Sequence, residues 1–139
     1  MTRPSPTDRE RAERIIVLIT RYGQVVGTAM SDAAGDASLV GNLPLLALCD
    51  LDLAGDRRPT DIQALTGLSS GGVTKLLDRL EKRGLVRRSF GALAADRRAV
   101  VVAITPDGRR VAGLVAAALA ERIDVTRAFV ADLADLLDA

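Results

Sequence analysis

The residues best suited to chemistry in this chain are cations. Between Arg57 and Arg110 it carries twelve Lys and Arg against five Asp and Glu, an excess of seven in a sequence whose formal net charge is +1. The flanks are therefore acidic overall. A basic middle between acidic ends suits a molecule with one face for a polyanion and others that must avoid it. Within that middle, SSGGVTKLLDRLEKR places two serines and two glycines ahead of Thr74, Lys75 and Arg79. Read as a helix, the slim residues Ser69, Ser70, Gly71 and Gly72 let backbone N–H groups approach a phosphate. Thr74 and Lys75 then reach base edges or the backbone of a major groove about 12 Å wide, and Arg79 reaches a phosphate one turn on. Plainer roles stand beside these: Ser69 and Ser70 as helix caps, Lys75 and Arg79 as solvated surface, and Arg79 paired with Asp78 or Glu81.

Other chemistries are poorly supplied. With no His and a single Cys, Cys49, the chain cannot assemble a zinc ligand set, an internal disulfide or a Cys–His nucleophile. It also lacks the side chain that most often serves as a base near neutral pH. No enzymatic activity, cofactor or metal is expected. Cys49 lies within LLALCDL and reads as core filling rather than as an oxidant sensor, which needs a thiolate that solvent can reach. The N-terminus, MTRPSPTDRE, is polar and precedes an apolar run of only five residues, IIVLI. Neither a secretory signal nor a membrane span fits, and a cytoplasmic location is expected.

The elements that must position the cations follow from periodicity. At 139 residues, 48% hydrophobic but only 2% aromatic and without Trp, the chain suits one domain of close-packed aliphatic helices. After a polar lead of about eight residues, DRERAERIIVLITRYGQVVGTAM has a helical apolar period interrupted by Gly23 and Gly27. SDAAGDASLVGN reads as a loop, and LPLLALCDLDLAGD as a short helix closed by Gly55. Thr60 and Gln63 have the spacing of a capping box that opens the next helix, with Ile62 and Leu65 on its inner side and Gly67 as its stop. Leu68 anchors a turn into a second helix, whose buried stripe is Val73, Leu76, Leu77 and Leu80. Thr74, Lys75, Asp78, Arg79 and Lys82 are left on the outer sides. Gly84 is placed for a left-handed C-cap, with Leu85 making its hydrophobic contact.

Beyond Leu85 the period changes. LVRRSF and RRAVVVAIT are strand-like, with the small, turn-like GALAAD between them. A short helix, a turn, a second helix with a basic outer side and then a hairpin make a winged helix-turn-helix. At the start of the returning strand, an arginine from Arg97 and Arg98 can enter the minor groove, with Asp96 holding it or the loop backbone; an ordinary ion-paired turn is the plainer reading. Arg87 and Arg88 suit phosphate contacts or scaffold ion pairs. Thr105 caps a further helix that begins with Pro106 and has Asp107 in its first turn. The tail carries two apolar faces, Val111, Leu114, Val115, Ala118 and Leu119, then Val125, Phe129, Val130, Leu133, Leu136 and Leu137, with a break expected between Ile123 and Val125.

The ordered combination LSSGGVTKLLDRLEKRGLV, DRRAVVVAIT and TPDGRR resembles the winged core of MarR-type transcriptional regulators, over roughly 50 of the 139 residues. The resemblance implies a mainly α fold: a winged helix-turn-helix with a two-stranded wing over 42–105, flanked by dimerisation helices at 9–34 and 106–139. It further implies a homodimer that binds a double-stranded, pseudo-palindromic operator, commonly as a repressor, with a small-molecule effector acting near the junction of the two regions. Ser70, Thr74, Lys75 and Arg79 would lie on the recognition helix, and Arg97 or Arg98 would be the minor-groove residue of the wing, supported by Asp96. Three features depart from the family pattern: a tail of only 34 residues after Thr105, an apolar wing loop, and only Tyr22, Phe90 and Phe129 to supply aromatic surface. The alternative function is a winged-helix interaction module without specific DNA binding. Outward-facing Thr74, Lys75 and Arg79 favour DNA, and burial of that face against another chain favours the module.

Overall fold

The computed structural model describes residues 3–35, 39, 42–90 and 99–138. Among them, six helices and a two-stranded antiparallel sheet follow in the order α1 (Pro6–Ala34), α2 (Asn42–Ala54), α3 (Pro59–Thr66), α4 (Ser70–Lys82), β1 (Val86–Phe90), β2 (Val100–Ile104), α5 (Pro106–Ala120) and α6 (Ile123–Asp138). This is the mainly α winged helix-turn-helix that the periodicity implies. The differences lie at element ends and on outer faces.

α1 begins earlier than the polar N-terminus suggests. The Ser5 hydroxyl accepts from the Asp8 N–H at 3.1 Å, the Asp8 carboxylate accepts from the Ser5 N–H at 3.3 Å, and Pro6 occupies the first helical position. That reciprocal box offsets the lack of apolar residues in the first turn. The helix also continues through Ser31–Ala34, matching the 34 that bounds the first terminal helix and not the loop reading of SDAA, before Gly35 ends it. Neither internal glycine breaks it. A Cβ on Gly27 would lie 3.1 Å from Asn42 Oδ1, so Gly27 admits the close approach of α2, while nothing crowds Gly23.

α3 corrects a second start. Pro59, with its fixed φ, is already the first helical residue, and the Asp61 carboxylate accepts from the Arg58 N–H at 2.9 Å. Thr60 therefore falls inside the first turn, and the expected Thr60–Gln63 box does not form. Ile62 is buried, but Leu65 stays 37% exposed; Leu68 in the following turn packs against the core instead.

The core joins Leu45, Leu48 and Leu51 of α2 to Ile62, to the α4 stripe Val73, Leu76, Leu77 and Leu80, to Val86 and Val102 of the hairpin, and to Val111 and Val115 of α5. β1 pairs with β2 in the register Val86↔Ile104 to Phe90↔Val100. On the other side of β2, Arg57 exchanges both backbone hydrogen bonds with Val102, at 3.0 and 2.7 Å, and its guanidinium binds Asp50. The segment entering α3 is thus tied to both the sheet and α2.

Helix, wing and tail meet at one junction. Gly84 has φ +72°; its N–H bonds to the Glu81 carbonyl at 2.9 Å, and the Leu85 N–H bonds to the Leu80 carbonyl at 3.0 Å. These two bonds form a Schellman turn that buries Leu85. Thr105 then clasps the turn. Its N–H bonds to the Leu85 carbonyl at 3.1 Å, while its hydroxyl donates to the Gly84 carbonyl at 2.6 Å and accepts from the Gly108 N–H at 3.0 Å. A Cβ at Gly108 would lie 2.1 Å from the Leu85 carbonyl oxygen and 2.7 Å from Ile104 Cγ1, so only glycine fits there.

The tail breaks at Glu121 and Arg122, just before the expected Ile123 to Val125. Of the first apolar face, Val111, Val115 and Ala118 are buried and Leu114 is largely open. α6 departs further from expectation, because it buries no residue fully. Phe129 stacks on Tyr22 of α1 with ring centroids 4.2 Å apart, and the Tyr22 hydroxyl lies 2.9 Å from Thr126 Oγ1. Val125, Val130 and Leu137 remain exposed, as do Ile16, Val17, Ile19 and Val25 on α1.

Gly108→Ala should lower unfolding stability by about 3 kcal/mol in urea titrations, since backbone must move to admit the methyl. Gly113→Ala, on the open side of the same helix with nothing near its Cβ position, should be neutral or stabilising by up to about 1 kcal/mol. Equal effects at the two sites would contradict the close packing of α5 on Leu85.

Candidate nucleic-acid interface

α4 presents a polar face because its other face is fully used. Val73, Leu76, Leu77 and Leu80 recur at helical spacing and are buried, so Thr74, Lys75, Asp78, Arg79 and Lys82 are left in solvent. At the N-terminus, the Ser69 hydroxyl accepts from the Gly72 N–H at 3.1 Å, so Ser69 is the cap and Ser70 the first helical residue. Among the described residues, the N–H groups of Ser70 and Gly71 have no acceptor, which leaves two donors at the positive end of the helix dipole. Gly71 has open space around it, whereas a Cβ on Gly72 would press on Leu68 and Ser69 at 3.3 Å. The Thr74 hydroxyl donates back to the Ser70 carbonyl at 3.0 Å, leaving its lone pairs and methyl for a groove.

The cations divide into committed and available ones. Lys75 and Arg79, at i and i+4 on α4, are exposed and make no ion pair among the described residues. Arg79 does not take Asp78 or Glu81; Arg88 of β1 takes both. Its Nε donates to Glu81 Oε2 at 3.2 Å, its terminal nitrogen donates to Asp78 Oδ1, and its backbone N–H donates to the same Glu81 oxygen at 2.9 Å. These bonds hold the Glu81 carboxyl below the usual glutamate range and stabilise the charged guanidinium. Of its two readings, phosphate contact or scaffold ion pair, Arg88 makes the ion pair. Arg87, one residue back, points the other way and is exposed. Asp96, Arg97 and Arg98 lie outside the described residues, as does the loop 91–96.

Two features escape sequence reading. Phe90, the last residue of β1, is 74% exposed beside the wing. A groove of about 300 Å³ lies between the start of α2 and α4; Leu43, Pro44, Leu68 and Leu76 supply its apolar lining, and Lys75 and Arg79 its cations. No local signal marks this groove, because its two walls are about thirty residues apart in the chain. Cys49 is half-buried against the core, and its thiol is pushed up by burial and then by the Asp52 carboxylate, as suits core filling. No helix among the described residues is long and apolar enough to cross a membrane.

Because Glu81 is more acidic folded than unfolded, its ion pair contributes stability that is complete above the unfolded pKa and is lost as pH falls through the lower folded value. Thermal melts from about pH 7 to about pH 3 should show this loss, and Glu81→Gln should lose less across the same window. Superimposable pH profiles would mean that the pair does not link α4 to β1 in solution.

Residues 50–99 match the family model described as MarR family. Over 57 residues the chain is 42% identical to the uncharacterized HTH-type transcriptional regulator YfiV of Bacillus subtilis, an alignment covering 41% of this chain. It spans about a third (34%) of that relative's length. Among solved structures, BpsR of Bordetella bronchiseptica, whose DNA binding is regulated by 6-hydroxynicotinic acid, is 25% identical with a TM-score of 0.60, covering 81% of this chain and 76% of that one. A cysteine-to-serine mutant of MarR from E. coli, solved in complex with operator DNA, has the same fold, with a TM-score of 0.69, 20% identity and coverage of 91% and 90%.

Proposed function

We propose that this chain, whose residues 50–99 match the MarR family model, is a regulator of that family and acts as a homodimeric repressor that reads a specific double-stranded operator. One observation carries the reading: α4 buries its whole apolar stripe and turns Thr74, Lys75 and Arg79 outward without intramolecular ion partners among the described residues. In this reading α4 enters the major groove. Ser69, Ser70 and Gly71 bring its N-terminus to a phosphate, Thr74 and Lys75 meet bases or backbone, and Arg79 and Arg87 hold phosphates. Arg97 or Arg98, supported by Asp96, enters the adjacent minor groove.

The apolar side chains that the single chain leaves in water support the dimer. Ile16, Val17 and Ile19 of α1, with Val130 and Leu137 of α6, are exposed on the terminal helices. A second copy covers them and sets two recognition helices about one DNA turn apart. A small-molecule effector belongs to the same reading. BpsR responds to 6-hydroxynicotinic acid, and the groove beside Lys75 and Arg79 has room and charge for a small aromatic carboxylate.

Duplexes selected from sheared genomic DNA of the source organism provide the test. At about 0.15 M salt, the enriched duplex should bind at least ~10³-fold more tightly than a scrambled one of equal length. Lys75→Gln and Arg79→Gln should each weaken binding and, where they contact phosphate, lower the salt slope by about one. Equal binding to both duplexes, or none at low salt, would move the assignment to an interaction module. Sedimentation of a monomer at the binding concentration would remove the dimer.

A further inference from the structure

α4 carries two carboxylates on a surface that the proposed function turns towards phosphate. Asp78 is four residues after Thr74 and four before Lys82, within one turn of Lys75 and Arg79, and its side chain is 59% exposed. Glu81 follows one turn after Asp78. Side chains at such spacing lie about 5–6 Å apart at Cβ, inside the screening length of about 8 Å at physiological salt. A bare carboxylate there opposes every phosphate that its cationic neighbours hold. Arg88 reaches both, through separate nitrogens of one guanidinium, with its side chain only 26% exposed. A third bond, from its backbone N–H to Glu81, fixes where the side chain starts.

We propose that Arg88 is a positioning residue of the DNA face: it screens Asp78 and Glu81 so that Lys75, Arg79 and Lys82 can hold phosphate, without itself touching DNA. The inference rests on the DNA-binding reading. An arginine suits the task better than a lysine, because its fork satisfies two carboxylates at once, although charge alone supplies most of the screening.

Screening requires that the effect of Arg88 depend on the two acids, which a mutant cycle measures. Binding of the selected duplex is titrated by anisotropy for wild type, Arg88→Gln, Arg88→Lys, Asp78→Asn with Glu81→Gln, and the triple variant carrying R88Q on that background. Circular dichroism melts accompany each protein. R88Q should weaken binding about tenfold in the wild-type background and less than about threefold once both acids are neutral. Arg88→Lys should stay within about threefold of wild type. The amide introduced by Glu81→Gln still offers an oxygen to the Arg88 N–H, so the backbone tie survives in the neutral background.

Equal losses in the two backgrounds would make Arg88 a direct phosphate contact and overturn the inference. No loss in the wild-type background would overturn it too. Weak binding by Arg88→Lys equal to that of R88Q would assign the effect to the geometry of the fork instead of its charge. Should R88Q fail to fold, the acid-neutral pair decides the matter: it should bind at least as tightly as wild type, and weaker binding overturns the proposal. Failure of wild type to bind any duplex at about 50 mM salt would instead bring down the DNA reading itself, and this inference with it.

Discussion

The arrangement depends on the Thr105 clasp over the turn that ends α4. A helix cannot pass directly into a strand; it must first leave its own carbonyls satisfied. Gly84 achieves this in the left-handed region, and the two bonds of the turn settle the carbonyls of Leu80 and Glu81. Two more carbonyls, on Gly84 and Leu85, then face the end of the second wing strand, and Thr105 takes both while capping α5. One residue thereby sets the direction of the recognition helix, the wing and the first tail helix. Gly108 completes the contact by letting α5 lie against the Leu85 carbonyl.

The sequence was legible where one physical demand dominated. The stripe from Val73 to Leu80, the left-handed stop at Gly84 and the Thr105 cap each follow from a single rule, and each is found where that rule places it. Helix starts were harder to read because several rules competed. In SPTD the polar composition pointed to an unstructured lead, although a serine, a proline and an acid at cap spacing were all present. In RPTDIQ a threonine–glutamine box competed with Pro59, and the proline, which needs no N–H at the first position, took the start.

The candidate interface divides in the same way. That Thr74, Lys75 and Arg79 point outward could be read from the burial of their neighbours. The division of labour among the arginines could not, because Arg88 finds Glu81 and Asp78 seven and ten residues back along the chain, across the turn. Helical spacing favours pairs within one helix, Arg79 with its neighbours, and is silent about a strand that folds back over it. The exposure of α6 was illegible for a related reason. Periodicity reveals that a face is apolar without saying whether the same chain covers it.

α1 carries this last point furthest. At 1.5 Å per residue its 29 residues make a rod about 43 Å long, yet no side chain before Val26 is fully buried. The forward part of the rod is held by its cap, by ion pairs such as Arg14 with Glu10, and by the lean of α6 through Tyr22 and Phe129. Local contacts of this size only marginally hold a helix in water. Backbone amides in the first four turns should therefore open to solvent exchange independently of the core, and the rod becomes as rigid as the rest of the molecule only when something lies along it.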